Sequence, residues 1–162
     1  MAVIRYEFGD YLNTGTAESP VWSLMGKGFN SLDENSQAQT DTKAYISDKE
    51  ASTIVKGYQT QFPYNMDLIP EEAALMAVYK VGRNKLTGAA SMFDYVRVDL
   101  YETPVEAGVY PARKFNVSVV PDSSSGAGAE AVVTTGNLNA NGDFVEGTFN
   151  ITTRTFTEVE AA

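Results

Sequence analysis

The sequence contains no cysteine and no histidine. The first absence removes disulfides, thiolate nucleophiles and thiolate-bound zinc; the second removes every triad or relay built on imidazole. Cations are also scarce. Twelve lysines and arginines stand against 21 aspartates and glutamates, a formal charge of −9 over 162 residues. That balance opposes a duplex-DNA binder, whose affinity is led by cations neutralising phosphates. It also opposes docking on an anionic membrane. No run of roughly 18 apolar residues is present, so no helical membrane span is expected. Residues Met1–Phe8 hold no apolar stretch of the secretory kind, which predicts a soluble chain made in a cytoplasm.

What is present is alternation. The length sets one domain as the expectation. Val3–Phe8 reads as a strand and Gly9–Ser19 as polar linker, together an N-terminal arm or edge strand over 1–19. Pro20–Gly26 is a short apolar strand. Residues 29–42 are rich in Asn, Ser, Gln, Asp and Thr and predict a loop, long beside the usual connection of about 2–6 residues. Lys43–Ser47 reads as a short strand. Ser52–Met66 reads as one long strand, with Ile54, Tyr58, Phe62 and Tyr64 on one parity and Gln59 and Gln61 on the other. Pro70, followed by Glu71-Glu72, fits a helix start, and Leu75, Val78, Tyr79 and Val81 carry a helix to about residue 81. Ser91–Glu102 and Tyr110–Pro121 alternate again. Asp122–Gly128 is a flexible turn, Glu130–Asn137 a strand, and Asn141-Gly142 a hairpin signal before a last strand, Phe144–Phe156. Seven or eight strands with one helix (about 70–81) predict a mainly β protein. The expected form is an antiparallel β-sandwich or open barrel spanning 20–157, with residues 158–162 as an acidic tail.

Catalytic chemistry finds little support. The neighbouring acids Asp33-Glu34 and Glu71-Glu72 diverge on a strand or helix. Asn137–Asp143 has oxygen side chains at alternate positions, yet lacks the glutamate that closes a calcium loop. Gly26-Lys27-Gly28 lacks phosphate-loop spacing. Arg97, Arg113, Lys114 and Arg154 read as scattered, and Trp22 as core. No enzyme activity, cofactor or metal is expected. Two other classes remain open. A carbohydrate- or protein-binding sandwich would use exposed aromatics such as Tyr95 and Tyr101. A carboxylate hydrolase would need two acids about 5–9.5 Å apart.

The order of motifs points further. Trp22-Ser23-Leu24-Met25-Gly26-Lys27-Gly28 opens the series. Lys43–Ser47, Val55–Phe62 and Tyr110–Val117 follow, and Asn141-Gly142-Asp143 with Val145-Glu146-Gly147-Thr148-Phe149 closes it. In this order the chain resembles the major tail tube proteins of tailed bacteriophages, or of related phage-tail-like particles. The resemblance implies a β-sandwich with a flanking helix. It implies homohexameric rings stacked helically into a tube that conducts double-stranded DNA into the host without binding it specifically. It also implies contacts with other tail proteins, such as a tape measure and a tail terminator, and a place in the virion tail after synthesis in the bacterial cytoplasm. A DNA-free bacteriocin or injection tube is the alternative within the class.

Physics permits such a tube. Four strands from each of six copies, about 24 in all, spaced about 4.8 Å and tilted about 40°, leave a bore of roughly 36 Å. The candidate lumen residues are the small polar ones opposite apolar faces: Gln59, Gln61, Asn116, Ser118, Glu146, Thr148, Asn150 and Thr152. Such a wall offers phosphates no cation, and a net −9 per copy repels the polymer toward the centre. Candidate contacts between rings are Phe29, Leu32, Asp33, Glu34, Asp41, Tyr6 and Tyr11. Candidate pairing edges are Ser52–Met66 and Phe144–Phe156.

Overall fold

Alternating sequence makes strands, and eleven of them carry about half of the residues that the computed structural model describes, 2–16 and 18–159. In chain order they are β1 (Phe8–Asn13), β2 (Trp22–Leu24), β3 (Phe29–Leu32), β4 (Ala38–Lys43), β5 (Ser52–Tyr58) and β6 (Gln61–Asp67). After helix α1 (Ala73–Arg83) come β7 (Met92–Asp99), β8 (Val109–Ser125), β9 (Val133–Ala140), β10 (Val145–Asn150) and β11 (Thr155–Glu158). Nine strands form one antiparallel sheet. Its main line runs β2-β1-β7-β8-β9-β6-β3, while β10 pairs with both β8 and β11. The remaining pair, β4 and β5, is a separate hairpin. The class is therefore mainly β with one flanking helix, as the sequence predicts.

The strand count exceeds the predicted seven or eight, for local reasons. Ser52–Met66 is two strands, broken at Gln59-Thr60, and Phe144–Phe156 is broken by a turn in which Arg154 takes a φ of 53°. The polar segment 29–42, predicted as loop, supplies β3 and β4; main-chain pairing with β6 and β5 overrides its composition. Of Lys43–Ser47 only Lys43 is in a strand, as the last residue of β4. The rest leads into the hairpin tip, where the Tyr45 amide donates to Asp48 Oδ2 at 2.8 Å. Near the N-terminus the strand lies later than predicted. Arg5–Glu7 is a single 3-10 turn, closed by the Ile4 amide donating to Glu7 Oε2 at 2.6 Å, and β1 begins at Phe8. β1 is paired on both sides, to β2 and β7, so it is an interior strand rather than an edge. Of the predicted acidic tail, residues 160–162 lie outside the described residues.

Asn141-Gly142 does not reverse the chain. Both β9 and β10 pair with the same side of the 17-residue β8, Ala140 opposite Val117 and Val145 opposite Lys114. Five steps of chain match three of β8, so the excess bulges at Gly142, whose φ is +72°. The jog passes the chain from one partner strand, β6, to another, β11.

Two cores result. On one sheet face Leu12, Phe62, Tyr64, Met66, Tyr95, Phe115, Val117, Val119 and Leu138 pack under α1 through Ala74, Leu75, Val78 and Val81. The helix starts at Ala73 with Glu72 as N-cap, so Pro70 sits in the turn before it. The second core lies on the opposite face, where β10 and β11 fold over β1 and β7. It holds Tyr11, Trp22, Val96, Val98, Ala112 and Phe149. Gly147 is required there, because a Cβ would collide with the Thr157 carbonyl and the Phe156 ring.

Candidate functional site

Strand parity builds the first surface. On β6 the burial alternates residue by residue, and β8 and β9 largely follow the same rule, so one face fills the core beneath α1 and the other is left to solvent. The pairing register aligns these outward residues into rows. Met92, Ser118, Asn139 and Gln61 lie side by side across β7, β8, β9 and β6. Asp94 lies opposite Asn116, and Asn137 opposite both Val120 and Pro63. Asn65 lies opposite Thr135. These rows contain amides, hydroxyls, the carboxylate of Asp94 and the apolar Met92, Val120 and Pro63; the next residue of β8 on the same face is Lys114, whose Nζ stands 5.4 Å from the Phe156 ring centre. Two of the amides are tied together: Asn141 Nδ2 donates to Asn116 Oδ1 at 3.0 Å and to Ser118 Oγ at 2.8 Å, and Asn116 Nδ2 donates to Asp94 Oδ1 at 3.3 Å. Asn30 Nδ2 donates to Asn65 Oδ1 and Asp67 Oδ1, each at 3.1 Å. Where these bonds run, at Asn116–Asn141–Ser118 and at Asn30–Asn65, the side chains are held in place.

Of the predicted lumen residues, Gln61, Asn116 and Ser118 share this face. Gln59 sits in the break between β5 and β6. Glu146, Thr148 and Asn150 lie on β10 and Thr152 in the turn after it, opposite Val109–Arg113 of β8; they form a separate surface. The sequence separates the two sets no better than parity allows, because which stretch folds over the second core is a tertiary matter.

The hairpin is the second surface. β4 is exposed throughout and β5 nearly so, on both faces. Ile54, Val55 and Tyr58 are 67%, 51% and 65% exposed. Thr42 and Thr53 hydroxyls bond across it at 3.0 Å. Of the predicted ring contacts, Asp41 lies on this hairpin, Tyr6 is exposed, Phe29 is half-buried, and Asp33 and Glu34 lead from β3 toward the hairpin root. Tyr11 and Leu32 are corrected to core residues. Tyr11 stacks on Phe149 at 4.4 Å, and Leu32 is buried in the core under α1.

A buried ion network fixes that root. Asp10 is 3% exposed; it accepts from the Tyr95 hydroxyl and from Arg5 Nη2 at 2.6 Å, and Arg97 Nε lies 3.6 Å away. Arg113 grips Glu34 with two bonds of 2.9 and 2.8 Å, and Arg97 Nη1 lies 3.7 Å from the same carboxylate. The Leu32 carbonyl accepts from Arg5 at 3.1 Å and Arg97 at 3.4 Å. Burial works to raise the Glu34 carboxyl, but the Arg113 bonds and the charges of Arg113 and Arg97 outweigh it and hold it below the usual range. Burial, then the Asp10 charge, pushes the Tyr95 phenol well up. Arg97 and Arg113, predicted to be scattered, are direct cross-strand neighbours. Only the intervening carboxylates make that pairing tolerable. Sequence reading missed Asp10 and Tyr95. The available signal was β7 itself, on which charged and aromatic residues alternate with valines on a strand packed on both faces. Tyr95 is buried and Tyr101 packs on Phe8 at 5.2 Å, so the two do not form an exposed aromatic pair.

No described helix is long and apolar enough to cross a membrane. No family model and no curated protein sequence matches the chain. Solved structures do. A chain of the anti-feeding prophage baseplate matches with a TM-score of 0.52 at 8% identity, covering 90% of this chain and 95% of its own length. A chain from the sheath/tube terminator of the extracellular contractile injection system PVC, in the extended state, gives 0.53 at 13% identity, covering 90% and 96%. One from the PVC sheath-tube complex gives 0.52 at 14%, covering 90% of each. The antiparallel sheet with its single flanking helix is thus a fold shared, over nearly the whole length of each chain, with proteins of contractile injection particles.

Proposed function

We propose that this chain is a non-catalytic building block of a phage tail or tail-like particle, and specifically a tube subunit. Copies join side by side into rings, rings stack, and the outward face of β6, β7, β8 and β9 lines the bore. The carrying observation is the composition of that face: four adjacent strands present amides, hydroxyls and a carboxylate in register, and the one cation on it among the described residues, Lys114 of β8, is laid against the Phe156 ring at 5.4 Å. Six copies, each contributing at least these four strands, supply the roughly 24 or more that a DNA-wide bore requires. Duplex DNA in transit meets few cations whose contact would release counterions, so it slides rather than sticks. Gln61, Asn116, Ser118, Asn137 and Asn139 are the wall residues in this reading. The margins β2, β3 and β11, each paired on one side only, are the surfaces on which neighbours add. A two-stranded hairpin is marginal by itself, so the β4–β5 arm is built to pack on another copy. Proteins that measure or cap the tube are the further partners.

Negative-stain imaging of the concentrated protein tests this. Rings or tubes roughly 100 Å across are expected; uniform monomers at every concentration would overturn it. Ser118→Lys sharpens the wall assignment. Assembled wild-type tubes are expected to leave duplex DNA free, whereas the lysine variant retains it at low salt and releases it as salt rises. The likeness to injection-system chains favours a second reading, an injection particle's tube rather than a virion's. Nuclease-protected DNA in particles purified from their source separates the two.

A further inference from the structure

Two features outside the polar face are complementary. The first is a knob. At the hairpin tip Tyr45 is 63% exposed and Ile46 is 110% exposed, so neither is packed by its own chain. The tip is nonetheless shaped: Asp48 accepts from the Tyr45 amide at 2.8 Å, and Lys43 Nζ stands 4.8 Å from the Tyr45 ring centre. The second is a hole. A cavity of about 460 Å³ opens between the C-terminal end of α1 and the last residues of β8. Val78, Val81, Leu86 and Pro121 give it apolar walls. Tyr64 also lines it, with its hydroxyl buried and without a hydrogen-bond partner. Burial, then the Asp122 charge, pushes that phenol up to about 12. Arg83 and Lys85 line the same cavity, with Asp122 as its one acidic lining residue, and the stretch from Ala73 to Phe93 holds no acidic residue in a chain of net charge −9.

Knob and hole do not meet within one chain. The hairpin leaves the sheet where β5 passes into β6 at Gln61; the cleft lies further along β6, where Tyr64 pairs with Gly136 and Met66 with Thr134. The geometry points to a second copy as the occupant: Tyr45 and Ile46 of one copy seat in the α1–β8 cleft of the next, with Asp48 and Glu50 meeting Arg83 and Lys85. This rests on the tube reading and gives its stacking contact an address. Two apolar side chains leave water. Asp48 and Glu50 of the tip find Arg83 and Lys85 on a stretch without acids, and Lys49 between them is the counter-charge available to Asp122, which also lines the cleft; such pairing steers the encounter. The Tyr64 hydroxyl gains an acceptor from the incoming turn. Because knob and hole are different surfaces, the contact is heterologous and repeats from copy to copy without closing on a pair.

The absence of cysteine makes the test clean. Ile46→Cys combined with Leu86→Cys, oxidised while assembling, is expected to give a ladder of linked chains on a non-reducing gel. Ile46→Cys with Ser118→Cys gives none. Assembly without the 46–86 link would overturn the seat and leave the tube reading standing; failure of the unaltered chain to assemble overturns both. A single change, Ile46→Asp, guards against a folding defect. It is expected to raise the concentration needed for assembly about tenfold or more with an unchanged melting temperature. An unchanged assembly threshold would overturn the seat.

Discussion

Strands β5 and β6 are neighbours in sequence, both carry large apolar side chains, and meet opposite fates. On β6 every second residue, Phe62, Tyr64 and Met66, is buried against α1 and the sheet. On β5 Ile54, Val55 and Tyr58 are exposed, on a hairpin whose two faces both meet solvent. Alternation tells which side chains stand together; it does not tell whether a partner layer lies over them. In β6 the layer is supplied by the same chain. In β5 this chain supplies none.

Mutations can break this contrast, and the largest effect belongs to β6. Phe62→Ala removes a fully buried ring that packs on Tyr95 at 4.9 Å and Phe115 at 5.0 Å. It is expected to cost about 3–5 kcal/mol in denaturant unfolding of the monomer. If the loss were under about 1 kcal/mol, the core assignment would fail.

A middle effect is expected at the junction. Glu34→Gln leaves Arg113 without its charged partner and should cost about 1–2 kcal/mol, most of it local to the hairpin root. The Glu34 carboxyl is held below its usual range in the folded chain. Its contribution is therefore present above the ordinary carboxylate value and fades as pH falls through the lower folded value. Hydrogen-exchange protection at residues 35–60, measured against the intrinsic rate at each pH, should fall as the solution is acidified into that range, and in the Gln variant it should already be low at neutral pH. Equal acid sensitivity of the variant would remove Glu34 from the account.

The smallest effect on the monomer is expected on β5. Tyr58→Ser should shift its stability by no more than about 0.5 kcal/mol, while the concentration required for assembly rises. A destabilised monomer would mean that the hairpin packs on its own chain after all.

Much of this architecture is legible in the sequence. The alternation of Phe115, Val117 and Val119 and the helical spacing of Leu75, Val78 and Val81 place the main core and its cover. The missing parts share a cause. Segment 29–42 looks like loop because β4 buries nothing, and its pairing with β5 is carried by the main chain. Asn141-Gly142 looks like a hairpin because the dipeptide allows positive φ, which a bulge uses as readily as a reversal. The Asp10–Tyr95–Arg97 cluster joins residues from β1 and β7, and no local pattern announces a pairing across that separation. Of the wall, Gln61, Asn116 and Ser118 could be read from parity, whereas Glu146, Thr148 and Asn150 share the parity and end on another surface.

By itself, the sequence determined the class of structure, the acidic charge and the absence of thiol and imidazole chemistry, because composition and period are local quantities. Only the tertiary structure decided that β9 and β10 run in line along β8, that two arginines stand opposite each other around Glu34, and that the amide rows lie together on four adjacent strands. Those are matters of register and of which strand neighbours which, set by long-range pairing that no single segment encodes.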